Sequence, residues 1–181
     1  MKSSTSSLRH LTFTALMTAI LAVCAWISVP APVPFTLQTL GVFLAVGLLG
    51  GRWGSVSVLV YLLLGLAGAP VFSGFTGGIG AFMGARGGYL IGMLSAALVM
   101  WGMERLFGTS TPAMAAAMGI GLAVCYTIGT VWFAVVYAGA GKAMGVWTAL
   151  TMCVLPYVIP DAAKIALALY LCKRLRHRHR P

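Results

Sequence analysis

The sequence predicts an all-α integral membrane protein with six transmembrane helices and both termini in the cytoplasm. Three observations carry that prediction. Of 181 residues, 60% are hydrophobic and only 8% are charged, whereas soluble domains carry about 25% charged residues. Apolar stretches recur along the whole chain, with a mean hydropathy of +0.98. The charges that remain fall almost entirely on one side of those stretches. Too few charges are present to clothe a soluble surface, and the hydrophobicity excludes disorder.

A spanning helix needs about 20 mostly apolar residues. The first candidate runs from Leu11 to Val29 and ends at Pro30, Pro32 and Pro34. The second runs from Phe35 to about Gly50, where Gly51-Arg52-Trp53-Gly54 is read as a turn. The third runs from Ser55 to Phe72. The stretch Ser73 to Gly88 is too rich in glycine for a regular helix. The fourth candidate runs from about Gly87 to Met103, and Glu104 to Gly108 with Pro112 reads as a polar break. The fifth lies within Ala113 to Ala138, closed by the turn Gly139 to Lys142. The sixth lies within Val146 to Cys172 and is interrupted by Pro156 and Pro160. The expected organisation is one membrane domain over 1–181: a basic tail at 1–10, a six-helix bundle at 11–172 and a second basic tail at 173–181.

Charge placement sets the orientation. With a cytoplasmic N-terminus, Lys2, Arg9, Arg52, Arg105, Lys173, Arg174, Arg176, Arg178 and Arg180 face the cytoplasm, while Arg86 and Lys142 face outward. This bias is the positive-inside pattern, and an odd number of spans would strand a basic end outside. Lys2 to His10 before an apolar run has the outline of a signal peptide. The run continues through Trp26 to Val29, however, and cleavage would leave five spans, so it is read as uncleaved. The basic balance marks membrane topology rather than nucleic acid binding, since there is no soluble domain to house such binding. The C-terminal basic run is read as an anchor touching anionic membrane lipid.

Catalytic signatures are missing. There is no GxxxxGKS or GxxxxGKT, no HExxH and no GxSxG. The only acids, Glu104 and Asp161, are far apart, and the histidines (His10, His177, His179) lie in the basic tails. Cys24, Cys125, Cys153 and Cys172 show no CxxC or metal spacing and read as small buried hydrophobes. The chain is read as a non-enzyme with no catalytic residues, no metal and no cofactor.

The informative motif is Pro156-Tyr157-Val158-Ile159-Pro160-Asp161-Ala162-Ala163-Lys164. A charge near the bilayer centre costs about 2.5–3.5 kcal/mol. The i, i+3 spacing puts Asp161 and Lys164 on one helical face, where each partly neutralises the other. Pro160 suits a first helical turn, where the helix dipole would favour the carboxylate. Two readings stand: a salt bridge locking the sixth helix, or a buried polar ligand site. Intramembrane ionisable residues favour the site. A second feature runs from Phe72 to Tyr89, where Gly77 and Gly78 would let backbone approach a ligand and Phe75, Arg86 and Tyr89 are interleaved. It reads equally as a flexible outer loop or a close helix contact through glycines 80, 84, 88 and 92, and the outer position of Arg86 tips the reading toward an anion-attracting lid. Ala15 and Ala19 give the first helix a small-residue face, for internal packing or for another membrane subunit.

Several motifs together resemble a known family. Val33-Pro34-Phe35-Thr36-Leu37-Gln38-Thr39-Leu40-Gly41 is similar to the segment-two signature of the BioY family, the biotin-specific S components of energy-coupling factor (ECF) vitamin transporters. Gly68-Ala69-Pro70-Val71-Phe72, the Gly77-Gly78 pair and Gly87-Gly88-Tyr89-Leu90-Ile91-Gly92 resemble its third-loop region. Pro160-Asp161-Ala162-Ala163-Lys164 resembles its C-terminal motif. Where the family pattern reads Gly-Pro-Thr-Gly-Gly-Tyr, this chain reads Gly84-Ala85-Arg86-Gly87-Gly88-Tyr89.

The resemblance implies a multi-pass protein of the prokaryotic inner (plasma) membrane. Its pocket would lie near the outer face, roofed by the loops after segments one, three and five. It implies biotin as ligand, and as partners a transmembrane coupling subunit, contacted through Ala15 and Ala19, and two ATP-binding subunits. Transport would follow tilting of the whole S component, with solitary function left open. The expected ligand set is Asp161, Lys164, Arg86, Tyr89, Phe75, Gly77, Gly78, Tyr157, Phe35 and Gln38. Asp161 would accept a ureido N–H, and Lys164 would donate to the ureido oxygen or the carboxylate. Arg86 would meet the carboxylate near the mouth, with the opposite assignment of Lys164 and Arg86 open. Tyr89, Phe75 and Tyr157 would supply ring contacts. The alternatives are an S component for another vitamin, a small integral membrane enzyme, or a structural subunit.

Overall fold

The structure is a computed structural model that describes residues 2–30, 34–141 and 145–178. Pro32, Val33, Lys142, His179 and Arg180, all named above, lie outside the described residues. The elements in chain order are α1 (Lys2–Trp26), β1 (Ser28–Val29), β2 (Phe35–Thr36), α2 (Gln38–Leu49), α3 (Gly51–Leu66), α4 (Ile79–Met83), α5 (Gly87–Phe107), α6 (Thr111–Gly139), α7 (Val146–Cys153) and α8 (Leu155–Arg178). Among the described residues, four stretches are long and apolar enough to cross a membrane: Leu8–Trp26, Gly87–Phe107, Thr111–Gly139 and Leu155–Leu175. Helices α2 and α3 are apolar but shorter, at 12 and 16 residues. Of the stretches read as basic tails, residues 2–10 belong to α1 and residues 173–178 to α8.

The structure moves several boundaries. Phe35 does not open a helix. It pairs in a short antiparallel hairpin, with Ser28 opposite Thr36 and Val29 opposite Phe35. The Thr36 hydroxyl then receives the backbone N–H of Gln38 at 3.2 Å, which turns the chain into α2. The bend between α2 and α3 sits at Gly50, whose φ of 81° favours glycine. Residues 51–54 are therefore the first turn of α3 rather than a loop. The Glu104 carboxylate on α5 accepts the Gly51 N–H. Glu104 is thus helical and occupied at a helix start, and the break falls later, at Gly108 with φ 74°. Helix α3 ends at Leu66, six residues before the expected Phe72. Within the glycine-rich stretch, Ile79–Met83 forms one short helical turn because its residues other than Gly80 are ordinary helix formers.

The sixth segment divides at Val154, not at a proline. Pro156 and Pro160 both lie within α8, so Asp161 sits in its second turn. The macrodipole acts mainly within the first turn. Asp161 is therefore held by direct bonds from neighbouring groups, and the expected first-turn position of Pro160 does not hold.

Glycine decides how closely the helices approach. A Cβ at Gly88 would clash with the Trp132 side chain, and one at Gly92 would meet the Cys125 carbonyl oxygen at 2.9 Å. These two positions are contact glycines between α5 and α6, whereas Gly80 faces open space. Tyr61, Phe43, Phe133, Leu21, Met100 and Met118 fill the buried centre. All four cysteines are buried within this packing. Helix α2 packs against both α3 and α8, which brings the start of α2 beside the middle of α8.

Gly88→Ala should force α5 away from α6 and lower stability by about 1–3 kcal/mol. Gly102→Ala, on the same helix with nothing near its would-be Cβ, should leave stability unchanged or raise it. Thermal unfolding of both variants in detergent checks the contrast.

Candidate ligand site

A cavity of about 570 Å³ opens where β2, α2, the loop after α3, α5, α6, α7 and α8 converge. One end is built by the α2–α8 packing. Asp161 is 3% exposed and Lys164 is 7% exposed, and they are the only buried charged side chains among the described residues. Lys164 Nζ donates to Asp161 Oδ1 at 2.6 Å, to the Thr36 carbonyl oxygen at 2.6 Å and to Thr39 Oγ1 at 3.2 Å. An ammonium has three N–H donors, so these partners use all of them. Thr39 Oγ1 in turn donates to Asp161 Oδ1 at 3.0 Å. The Tyr126 hydroxyl, from α6, donates to Asp161 Oδ2. Of roughly four acceptor positions on a carboxylate, these bonds occupy three, and the remaining one is on Oδ2. Lys164 Nζ also sits 4.1 Å from the Phe35 ring centroid, a cation–π contact. The Phe35 ring stacks on Tyr157, with centroids 6.4 Å apart.

The other end has a different character. Arg86, immediately before α5, donates from Nη1 to Ser73 Oγ at 3.2 Å and to the Ser73 carbonyl oxygen at 3.5 Å. The chain has two acids. Asp161 is paired with Lys164 and Glu104 with the Gly51 N–H, so Arg86 has no carboxylate partner. The cavity therefore carries a neutralised ion pair at one end and a net positive charge at the other. Between them lie the apolar and aromatic surfaces of Tyr89, Leu90, Met93, Phe72 and Tyr157. The Tyr89 hydroxyl is held by Thr130 Oγ1 at 3.0 Å and by the Cys153 carbonyl oxygen at 3.5 Å, which fixes its ring against the wall.

Eight of the residues singled out in the sequence line this cavity: Phe35, Gln38, Gly77, Arg86, Tyr89, Tyr157, Asp161 and Lys164. Phe75 and Gly78 do not. Phe75 is 64% exposed and stacks on Trp26 at 5.1 Å, outside the cavity. Gly78, with φ 85°, closes the loop by donating its N–H to the Gly65 carbonyl oxygen at 2.6 Å. Of the loops after the first and third segments, Pro34, Phe35 and Thr36 and then Phe72, Ser73, Thr76 and Gly77 line the cavity, while beyond α6 the lining residues are Cys153 in α7 and Tyr157, Asp161 and Lys164 in α8. Ala15 and Ala19 are exposed on α1. Sequence reasoning missed Thr36, Thr39 and Tyr126 as members of the polar cluster. The signal was a hydroxyl in each case: two threonines around Gln38, and a tyrosine inside an otherwise apolar segment.

With this geometry in place, comparisons with known proteins become informative. The profile of the BioY family matches residues 1–180. This chain belongs to the BioY family. It is 37% identical over 172 residues to a probable biotin transporter BioY of Pyrococcus horikoshii, covering 93% of this chain and 96% of that one. It is 34% identical over 170 residues to a biotin transporter BioY of Thermotoga maritima, with coverage of 93% and 96%. Among solved structures it is similar to an S-component for biotin from an ECF-type ABC transporter, at a TM-score of 0.84 and 28% identity, covering 96% of this chain and 93% of that one. The chain is a multi-pass protein of the prokaryotic inner (plasma) membrane.

Lys164→Met leaves the Asp161 carboxylate buried without its cation and should cost about 3–5 kcal/mol. Combining it with Asp161→Leu should recover much of that loss. Thermal unfolding of the single and double variants in detergent measures the coupling.

Proposed function

We propose that this chain is the biotin-binding specificity subunit of an ECF-type vitamin uptake transporter, which captures biotin at the outer face and delivers it inward. The observation that carries the reading is the two-ended cavity, with an ion pair that keeps one open acceptor position at one end and, at the other, an arginine bonded to the neutral groups of Ser73. Biotin has the matching pattern: a ureido group that both donates and accepts, an apolar fused ring and a carboxylate tail. The names of the BioY relatives and of the similar solved structure support the same ligand.

In this reading the open acceptor position on Asp161 Oδ2 takes a ureido N–H. Lys164 reaches the ureido oxygen by exchanging its longest bond, the 3.2 Å contact to Thr39. Arg86 takes the carboxylate, since it is the cation with no acid beside it. Tyr89, Tyr157 and Phe35 contact the rings, and Gly77 lets the roof backbone come close. Gln38 acts behind Thr36 through their mutual hydrogen bonds. Phe75 and Gly78 shape the roof from outside. Biotin is cargo, and the chain uses no cofactor or metal and catalyses no reaction.

The chain forms a single membrane domain with six spans, α2 and α3 counting as two of them, and both termini in the cytoplasm. Arg9, Arg52 and Arg105 then share one end of the bundle, opposite Arg86. ATP hydrolysis belongs to two partner subunits. The exposed Ala15 and Ala19 face of α1 meets the transmembrane coupling subunit, and the basic C-terminal run rests on anionic lipid.

Asp161→Asn should weaken biotin binding by about 100-fold, the size expected for a lost charge-assisted hydrogen bond. Titration calorimetry on the purified variant checks this, and unchanged affinity would make Asp161 purely structural. Biotin methyl ester should bind the wild-type protein at least about tenfold more weakly than biotin. Arg86→Gln should close that gap by weakening only the free acid. A gap that survives the substitution would assign the carboxylate to another group.

A further inference from the structure

A series of buried hydrogen bonds, joined through the covalent frame of Thr36, runs from the ion-pair end of the cavity to its roof. It begins where Lys164 donates to the Thr36 carbonyl oxygen. The Thr36 hydroxyl donates to Gln38 Oε1 at 3.3 Å. Gln38 Nε2 donates to the Tyr61 hydroxyl at 2.5 Å. The Tyr61 hydroxyl donates to the Val71 carbonyl oxygen at 3.1 Å. Thr36, Gln38 and Tyr61 are all buried, and Tyr61, in the middle of α3, is only 1% exposed. Tyr61 does not line the cavity.

The far end of this chain is where the roof is assembled. Val71 is followed by Phe72, whose ring lines the cavity and packs edge-on against Tyr61 at 5.4 Å. Glycine at position 65 makes room for that ring, since a Cβ there would fall within it. Next comes Ser73, the residue that receives Arg86. The Phe72 N–H donates to the Thr76 carbonyl oxygen at 3.0 Å, and the loop closes through the Gly78–Gly65 bond. Three consecutive residues thus join the relay, the cavity wall and the anion-facing arginine. A phenylalanine at 61 would keep the ring contact. The hydroxyl contributes only the link, and burying it is costly unless both of its bonds are made.

We infer that Tyr61 is a positioning residue for ligand retention. Its hydroxyl registers the roof loop, residues 67–78, against the Thr36–Gln38 corner that carries Lys164. A ligand engaged at Asp161 and Lys164 thereby holds the roof and Arg86 in place, and release is slowed. This inference rests on the biotin reading above and adds a residue that does not touch the ligand.

The test is the rate of biotin release from the full-length protein and from Tyr61→Phe in detergent, followed by displacement with excess unlabelled biotin. The dissociation rate should rise about tenfold, as expected for one buried hydrogen bond lost, while the association rate stays within about twofold. A release rate equal to wild type overturns the inference. Hydrogen exchange separates positioning from general destabilisation. In the wild type, biotin should slow exchange at Phe72 and Gly78 as well as around Thr39. In Tyr61→Phe, the slowing at Phe72 and Gly78 should disappear while that around Thr39 persists. Should the variant fail to fold, the wild-type exchange pattern still decides, because biotin that leaves Phe72 and Gly78 unaffected overturns the relay. A wild-type protein that binds no biotin removes the proposed function instead, which is a distinct outcome.

Discussion

An ammonium and a carboxylate can share an apolar bundle only if nearly every donor and acceptor they bring is matched. In this chain, matching them requires groups from three separate places. Thr36 and Thr39 come from the hairpin and the start of α2, Tyr126 comes from α6, and the pair itself comes from α8. Satisfying Lys164 therefore fixes where the hairpin ends, where α2 begins and how α8 lies against both. The same cluster forms one wall of the cavity, so the bonds that hold the elements together also shape its surface. The salt-bridge reading and the ligand-site reading of Asp161 and Lys164 are thus not rivals: the bonds that hold the elements together leave one acceptor position on Oδ2.

The opposite wall follows a different logic. Scarcity of acids, rather than a local contact, gives Arg86 its character. With Asp161 and Glu104 both engaged elsewhere, no carboxylate among the described residues pairs with the guanidinium, and its contacts are to the neutral groups of Ser73. Between the two ends, contact glycines allow α5 and α6 to pack closely, which seats Tyr89 and Cys125 at the cavity surface. Glycine thus shapes the cavity from its outer wall, and hydroxyl groups shape it from within.

Much of this was legible in the sequence because apolar runs and lone charges are strong signals in a membrane protein. The helical segments, the Asp161–Lys164 pair and the separate position of Arg86 could be read from residue order alone. The hairpin could not. Prolines at 30 and 34 announce a break but say nothing of the pairing that follows. Pro160 misled because proline favours a first helical turn and is costly further in, whereas here it lies inside α8. Tyr126 and Thr39 were invisible as partners of Asp161 because their proximity is created by helix packing across 35 and 122 residues of sequence. The aromatic character of Phe75 suggests a ring contact but does not say on which side of the loop, and here the ring stacks on Trp26 outside the cavity.

The central claim is that this cavity selects biotin. Equilibrium dialysis of labelled biotin against the purified wild-type protein in detergent, with riboflavin and thiamine as competitors, tests it most directly. The account predicts saturable binding at one site per chain, displaced by unlabelled biotin and by neither competitor. Displacement by riboflavin or thiamine, or no saturable binding by a folded sample, would contradict it.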